Sequence, residues 1–257
     1  MSTQKGIRTD FISTPVLNDP VAVCGLPGSG YMGKLAVDYL IEKLNAKKFV
    51  YLFCHSFPPQ VTINSDGTID LVKNSLYYCK TDSKDLILLT GDTQPVTAEG
   101  EYELVEEIIK ICSEMNVQKI ITLAAYITGK FSKSPNVYGT ATTVEYVKEL
   151  SNNGILKMGK GNITGMNGVI IGSAKNHGLQ GSCILGETSG YVVDAKASKA
   201  VLESLSKMLR ISIDMAELEK KAKGTEEIIK TLQAQAASQP GQQPLSSSQE
   251  KSLGYIS

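Results

Sequence analysis

Residues 21–54 carry the pattern of a strand, a glycine-rich turn, a helix and a second strand. Val21–Gly25 is a short β-prone run that opens into the turn Leu26–Gly30. From Leu35 to Leu44, apolar residues recur at intervals of three and four, as on one face of a helix. The continuous apolar run Phe49–Cys54 is typical of a strand buried on both faces. Together these segments predict one βαβ unit.

The rest of the chain repeats this alternation of apolar runs and amphipathic segments. Further buried strands are predicted at Asp85–Thr90, Lys119–Ala124, Gly168–Gly172 and Ser182–Gly186. Helices are predicted at Ala98–Met115, at Thr142–Leu150 with Thr142 and Glu145 at capping-box spacing, and at Ala197–Leu209. A small antiparallel excursion is predicted over Val61–Lys80, with its turn at Ser65-Asp66-Gly67. The pattern predicts an α/β fold, a three-layer αβα sandwich with a mostly parallel central sheet, spanning residues 1–213.

Residues 214–236 form a second segment with its own pattern. Asp214 is a predicted N-cap, and apolar or small residues then recur at heptad-like spacing. One interpretation is an amphipathic helix that packs on its own domain. The other is a helix that pairs with a copy of itself or with another subunit. The residues predicted to form that oligomer interface are Met215, Leu218, Ala222, Ile229 and Leu232.

Residues 237–257 form a third segment, rich in Ser, Gln and Pro, which predicts a disordered tether with nothing to bury. Its last five residues, Leu253–Ser257, restore apolar character. This end is either a frayed terminus or a tethered peptide that docks into a pocket on a partner.

The turn after the first strand resembles two phosphate-binding motifs. Gly28, Gly30 and Gly33 match the dinucleotide fingerprint G-x-G-x-x-G, but the second strand ends Cys54-His55-Ser56 and lacks the acidic residue that binds ribose. The same stretch approaches a Walker A loop through Lys34, yet Leu35 replaces the hydroxyl that would bind magnesium. The alternative is a structural turn that allows close helix–sheet packing, or a weak anion site at the helix N-terminus.

No convincing catalytic set is present. His55 and His177 are the only histidines, and a hydrolase would pair one of them with Ser182 or Cys183. Asp92, Glu187 or Asp194 would then complete a triad. No G-x-S-x-G elbow positions a serine, and neither histidine has metal-ligand spacing. We therefore predict no catalytic residues, no cofactor and no metal.

Charge and composition exclude several classes of partner. The chain has 257 residues with 26 basic and 26 acidic side chains, and Arg8 and Arg210 are its only arginines. Nucleic-acid binding needs a basic surplus, so we expect no nucleic-acid partner. No apolar stretch approaches the ~20 residues that cross a bilayer, so we expect no membrane partner. Five scattered cysteines indicate reduced thiols and a cytoplasmic location.

Four segments, taken in order, resemble the proteasome assembly chaperone family, most closely its archaeal-type members. They are Gly25–Gly30 with Lys34–Ala36, Leu86–Pro95 followed by Tyr102, Gly168–Gly172, and Cys183–Tyr191 with Asp194, Ala197 and the helix Lys199–Leu209. The resemblance covers roughly Val16 to Ala222.

The resemblance implies a phosphorylase-like αβα body used for binding, in homo-oligomers or hetero-oligomers that act on proteasome α subunits or bind the α ring. Some archaeal members end in a hydrophobic–tyrosine–any-residue signature that inserts between α subunits. This chain ends Tyr255-Ile256-Ser257, with Ile256 at the tyrosine position. Ile256 lacks the hydroxyl, while the Tyr255 ring and the Ser257 carboxylate remain available to a pocket.

The function hypothesis is a non-enzymatic, cytoplasmic proteasome assembly chaperone or adaptor that forms a homo-oligomer, alone or with a paralogous subunit. A nucleoside- or nucleotide-binding enzyme using residues 28–34 is one alternative. An oligomeric scaffold without proteasome contact is another.

Overall fold

In the computed structural model, residues 2–4, 6–130, 132–190 and 192–224 are described. The strands are β1 Ser2–Gln4, β2 Ile7–Phe11, β3 Val21–Cys24, β4 Lys47–Cys54, β5 Val61–Ile63, β6 Ile69–Leu71, β7 Asn74–Cys79, β8 Leu86–Gly91, β9 Lys119–Ile127, β10 Val137–Ala141, β11 Leu156–Lys157 and β12 Gln180–Thr188. The helices are α1 Met32–Lys43, α2 Ala98–Glu114, α3 Val144–Asn152, α4 Met166–Asn176 and α5 Ala195–Leu209. Residues 216–224 are also helical and are called α6.

Ten strands form one mixed sheet in the order β1-β2-β4-β7-β8-β3-β9-β12-β10-β11. Its centre, β8-β3-β9-β12, is parallel. The flanking strands join it antiparallel, apart from the β10–β11 pair. The predicted parallel sheet is therefore confirmed at the centre, where crossover helices connect the strands. Strands β5 and β6 form a separate two-stranded hairpin.

Helices cover both faces of the parallel centre, which confirms the three-layer architecture. Successive residues of β3 point to opposite layers, as the pleat of a strand requires. Val21 and Val23 pack in the cluster built with α1 and α5. Ala22 and Cys24 pack in the cluster built with α2 and α4. Within the described parts of the chain, no helix combines the length and the apolarity needed to cross a bilayer.

The predicted strand Gly168–Gly172 is wrong, because this segment lies inside α4. The buried residues Met166, Ile170 and Ala174 recur every fourth position and face α2 and the sheet. A run of five apolar residues is compatible with a buried strand and with the buried face of a helix. The spacing of four residues over the longer segment distinguishes the two.

The cap of α3 is also displaced by one residue from the prediction. The Thr143 side chain, not that of Thr142, accepts the Tyr146 backbone N–H at the start of the helix. The Thr142 hydroxyl oxygen instead accepts the Gly181 N–H and ties this loop to β12.

Candidate functional site

The glycine-rich turn lies at the carboxyl edge of the parallel strands, directly after β3. Gly30 has a φ of +64° and Tyr31 a φ of +51°, so the chain passes through the left-handed region before α1 begins. Gly28 is extended, a conformation that any residue can adopt. Gly33 is needed for a different reason, because a β-carbon there would overlap the carbonyl oxygen of Leu123 in β9. The glycines thus serve turn geometry and close packing.

A loop on one side holds this turn through the amide of Gln94, which follows β8. Its Nε2 donates to the carbonyl oxygen of Pro27 at 2.5 Å. Its Oε1 accepts the backbone N–H of Met166, the first residue of α4, at 3.0 Å. One side chain therefore uses a carbonyl of the turn and a free amide of a helix N-terminus, the kind of group that would otherwise bind an anion.

A loop on the other side holds the turn through Asp194, the N-cap of α5. Its backbone N–H donates to the carbonyl oxygen of Gly30 at 3.0 Å. Its carboxylate accepts the Thr188 hydroxyl at 2.7 Å and the Ala197 N–H at 2.9 Å. Gln94 and Asp194 both lie in segments that carry the family resemblance, so those segments meet at this edge of the sheet.

Lys34 is engaged within the protein. Its Nζ lies 2.9 Å from Asp38 Oδ2 and donates to Thr90 Oγ1 at 3.3 Å. Asp92, the carboxylate after β8, accepts the Lys73 N–H at 3.0 Å. These contacts occupy the lysine and the carboxylate that a phosphate-binding loop would use. The weak anion site at the N-terminus of α1 stays a prediction.

The residues of the hydrolase hypothesis do not assemble. The Ser182 hydroxyl donates to the Tyr146 hydroxyl at 3.2 Å, and burial raises the pKa of the Cys183 thiol to about 12. His177 directly follows α4, with Nδ1 3.0 Å from the Ser173 carbonyl oxygen and Nε2 3.3 Å from Glu106.

His55 is exposed after β4, and Glu187 accepts hydrogen bonds from Asn136. Among the described residues, neither imidazole hydrogen-bonds to the Ser182 hydroxyl or the Cys183 thiol. Nor does any group of three His, Cys, Asp or Glu side chains among them form a metal-binding cluster.

The predicted interface residues Leu218 and Ala222 are buried in the chain's own body. Both belong to the cluster built with α1 and α5, and Met215 packs against it partly buried. In the described part of the chain, this packing agrees with the interpretation of an amphipathic helix that packs on its own domain. Ile229 and Leu232 lie outside the described residues, as do Tyr255, Ile256 and Ser257.

Polar contacts also attach this segment to α1. The Tyr39 hydroxyl donates to the Asp214 carbonyl oxygen at 2.7 Å, and Lys43 Nζ lies 2.7 Å from a Glu217 carboxylate oxygen. The Asp214 carboxylate accepts the N–H of Ala216, the first helical residue of α6, at 2.9 Å. Met215 directly precedes the helix and its carbonyl oxygen accepts the Glu219 N–H, so Asp214 lies one residue before the N-cap position.

Comparison with known proteins identifies the family. The model of the PAC2 family matches residues 22–233. The chain belongs to the PAC2 family. An uncharacterised protein of Methanocaldococcus jannaschii is 39% identical over 217 residues, which is 84% of each chain.

Two solved structures of Pyrococcus furiosus proteins are similar to this PAC2-family chain. PbaB, an archaeal proteasome activator, has a TM-score of 0.85 and 35% identity and covers 90% of this chain and 100% of its own. PbaA, an archaeal homologue of proteasome-assembly chaperone, has a TM-score of 0.76 and 27% identity, with 91% and 94% covered. The predicted archaeal-type family is confirmed.

The PAC2-family chain also exposes aliphatic side chains to which the sequence analysis assigned no role. They lie on the β5–β6 hairpin, whose turn was predicted: Val61, Ile63, Ile69 and Leu71. The available signal was the alternation within both strands, which places all four side chains on one face.

Proposed function

We propose that this PAC2-family chain is a non-enzymatic, cytoplasmic chaperone or adaptor that binds proteasome α subunits or the α ring of the core particle. The observation that carries the proposal is the likeness to PbaB, an archaeal proteasome activator, at 35% identity over 90% of the chain. The likeness to PbaA, a homologue of proteasome-assembly chaperone, points to the same class of partner.

The carboxyl edge of the sheet supports a binding role over a catalytic one. In open α/β sheets, this edge is where small ligands usually bind. Here the side chains of Gln94, Asp194 and Lys34 hydrogen-bond or ion-pair with the protein itself. An edge tied together in this way favours a rigid body that presents surfaces to other proteins.

In this proposal, the C-terminal end docks into pockets between α subunits. Tyr255 buries its ring, Ile256 adds apolar contact and the carboxylate of Ser257 pairs with a basic side chain of the pocket. A flexible tether of ~18 residues reaches about 25 Å, far enough for the end to search the neighbouring surface of a partner.

The proposal includes self-association, alone or with a paralogous subunit. Ile229 and Leu232 continue the spacing of Leu218 and Ala222. Leu218 and Ala222 are buried within the body, and Met215 packs against it partly buried. We therefore assign the contribution of this segment to assembly chiefly to Ile229 and Leu232.

Titration of the full chain against the cognate core particle and against free α subunits tests the proposal. Deleting Leu253–Ser257 should weaken binding about tenfold or more, because the anchor residues are lost, while the mass of the oligomer stays the same. Deleting residues 246–250 is the matched control, because it shortens the tether equally and keeps the end. Equal affinity of both deletions would overturn the tail hypothesis. Failure of the full chain to bind either target would overturn the function.

A further inference from the structure

The β5–β6 hairpin is amphipathic, and its apolar face lies open to solvent. Val61 pairs with Leu71 and Ile63 pairs with Ile69, so all four side chains share one face. Their exposed fractions run from 47% for Val61 to 74% for Ile63. The opposite face carries the Thr62–Asp70 pair. A two-stranded ribbon of this kind is marginal alone and gains most from a partner that covers its apolar side.

A groove of about 550 Å³ lies beside this hairpin and shares two of its residues. Val61 and Leu71 line it. Its remaining walls come from β2, the end of β4 and the segments flanking the hairpin: Arg8, Phe53, Cys54, His55, Phe57, Pro58, Pro59, Gln60 and Val72. The same patch thus holds an apolar ridge and an apolar hollow, which is what a contact between identical surfaces requires.

The two ends of this patch carry opposite charges. Asp66 lies at the exposed tip of the hairpin, where hydrogen bonds from the Thr68 hydroxyl and N–H hold the pKa of its carboxyl below its ordinary value. Arg8 lies on the groove wall, with its guanidinium 4.0 Å from the centre of the Phe53 ring and its Nε 3.3 Å from Asp10. Its remaining N–H groups have no acceptor among the described residues, so they can bind a second carboxylate.

We propose that the hairpin and the groove form a self-complementary interface through which two copies of the chain associate about a two-fold axis. Ile63 and Ile69 of each copy enter the groove of the other, and Asp66 of each copy meets Arg8 of the other.

The size of the patch fits this occupant. The groove lining and residues 61–71 together comprise about 20 residues, the number that a standard interface takes from each partner. The contact rests on the self-association included in the proposed function but requires no proteasome, so its failure is distinguishable from a failure to bind the core particle.

The first test introduces a charge into the apolar ridge and measures the mass by sedimentation velocity over a range of concentrations. Ile63→Glu or Ile69→Glu should raise the dissociation constant of the pair about tenfold or more, because a buried carboxylate replaces an apolar contact. Val144→Glu on α3 is the matched control, because Val144 is 65% exposed and Ile69 is 64% exposed. It should leave the mass unchanged, and all three variants should keep the circular dichroism and melting temperature of the parent.

The second test uses charge reversal. The proposed pair of chains should dissociate when both carry Asp66→Arg or both carry Arg8→Glu, because like charges then meet at both ends of the contact. An equimolar mixture of the two variants should reassociate, because every Arg–carboxylate pair is restored between them. Asp66 is exposed at a turn, so its variant folds even where Arg8→Glu is destabilised by the neighbouring Asp10.

A monomeric parent chain, or hairpin variants of unchanged mass, would overturn the proposal. If those variants keep their mass but lose binding to the core particle, the surface belongs to a proteasome subunit and the two-fold contact is overturned. A mixture that stays dissociated, although both variants keep the circular dichroism and melting temperature of the parent, would overturn the pairing of Asp66 with Arg8.

Discussion

Gly33 is the residue of α1 that packs directly against the backbone of β9, so it tests the packing interpretation of the turn. A β-carbon there would overlap the Leu123 carbonyl oxygen, a backbone atom that cannot rotate away. Gly33→Ala should therefore lower the free energy of unfolding by about 1–3 kcal/mol, measured by urea denaturation.

Gly172 in α4 is the control for this substitution. It is also helical, but nothing lies within 4 Å of a β-carbon built on it. Gly172→Ala should raise the free energy of unfolding by about 0.5–1 kcal/mol, because alanine lowers the conformational entropy of the unfolded chain. Equal effects at the two positions would mean that helix propensity alone decides, and the packing role of Gly33 would be wrong.

At the scale of elements, α6 tests whether the C-terminal segment belongs to the body. Leu218 is fully buried in the cluster with α1 and α5. Leu218→Ala should lower the free energy of unfolding by about 2–5 kcal/mol, because it removes buried methyl groups and leaves a cavity. Urea denaturation measures the loss, and sedimentation velocity should show an unchanged mass.

Lys220→Ala is the matched control in the same helix, because Lys220 is exposed. It should change the free energy of unfolding by no more than about 0.5 kcal/mol. A Leu218→Ala chain that keeps its stability but loses mass would instead place this residue in a seam between subunits.

The elements also show which kinds of structure a single sequence predicts. The β3–α1–β4 unit was predicted, because a continuous apolar run, a glycine turn and a helical period agree with one another along it. The segment Gly168–Gly172 was assigned to a strand because five apolar residues are too few to show the helical spacing. That spacing becomes visible only over the whole length of α4. Strands β2 and β10 contain no continuous apolar run, and they are strands because they pair with β4 and β12.

The site divides in the same way. The position of the glycine turn could be read from the chain, because the turn is local. The role of Gln94 could not, because its amide joins Pro27 to Met166 across 67 and 72 residues of sequence. The exposure of Ile63 and Ile69 is likewise a tertiary property, since alternation places both on one face without saying what covers it.

For the molecule as a whole, the contacts at the carboxyl edge predict that nucleotides do not stabilise the chain. A ligand at 100 times its dissociation constant adds about 2.7 kcal/mol to the free energy of unfolding. Because Lys34, Gln94 and Asp194 are engaged with the protein, we expect no such change with ATP, NAD⁺, nucleosides or phosphate. Differential scanning fluorimetry measures the melting temperature of the chain with each ligand. A saturable rise in melting temperature with any of these ligands would support the alternative hypothesis of a nucleotide-binding enzyme.

The hairpin contact and the C-terminal tail meet in one last prediction, which concerns avidity. In the proposed function, an assembly of chains presents several tails to one α ring, and linked sites can exceed the affinity of a single one by about 10²–10⁴. Ile63→Glu leaves the tail sequence intact and is expected to weaken the proposed pairing of chains. It should therefore bind the core particle about tenfold or more weakly than the parent in surface plasmon resonance, chiefly through faster dissociation.

Val144→Glu should bind the core particle as the parent does, because its charge lies on α3, away from the hairpin. Ile63→Glu with Leu253–Ser257 also deleted separates the two contributions. If pairing acts only by bringing several tails to one ring, deleting Leu253–Ser257 should abolish the binding that the Ile63→Glu chain retains. Parent-like affinity of Ile63→Glu would mean that one tail carries all the binding, and assembly would then serve another purpose.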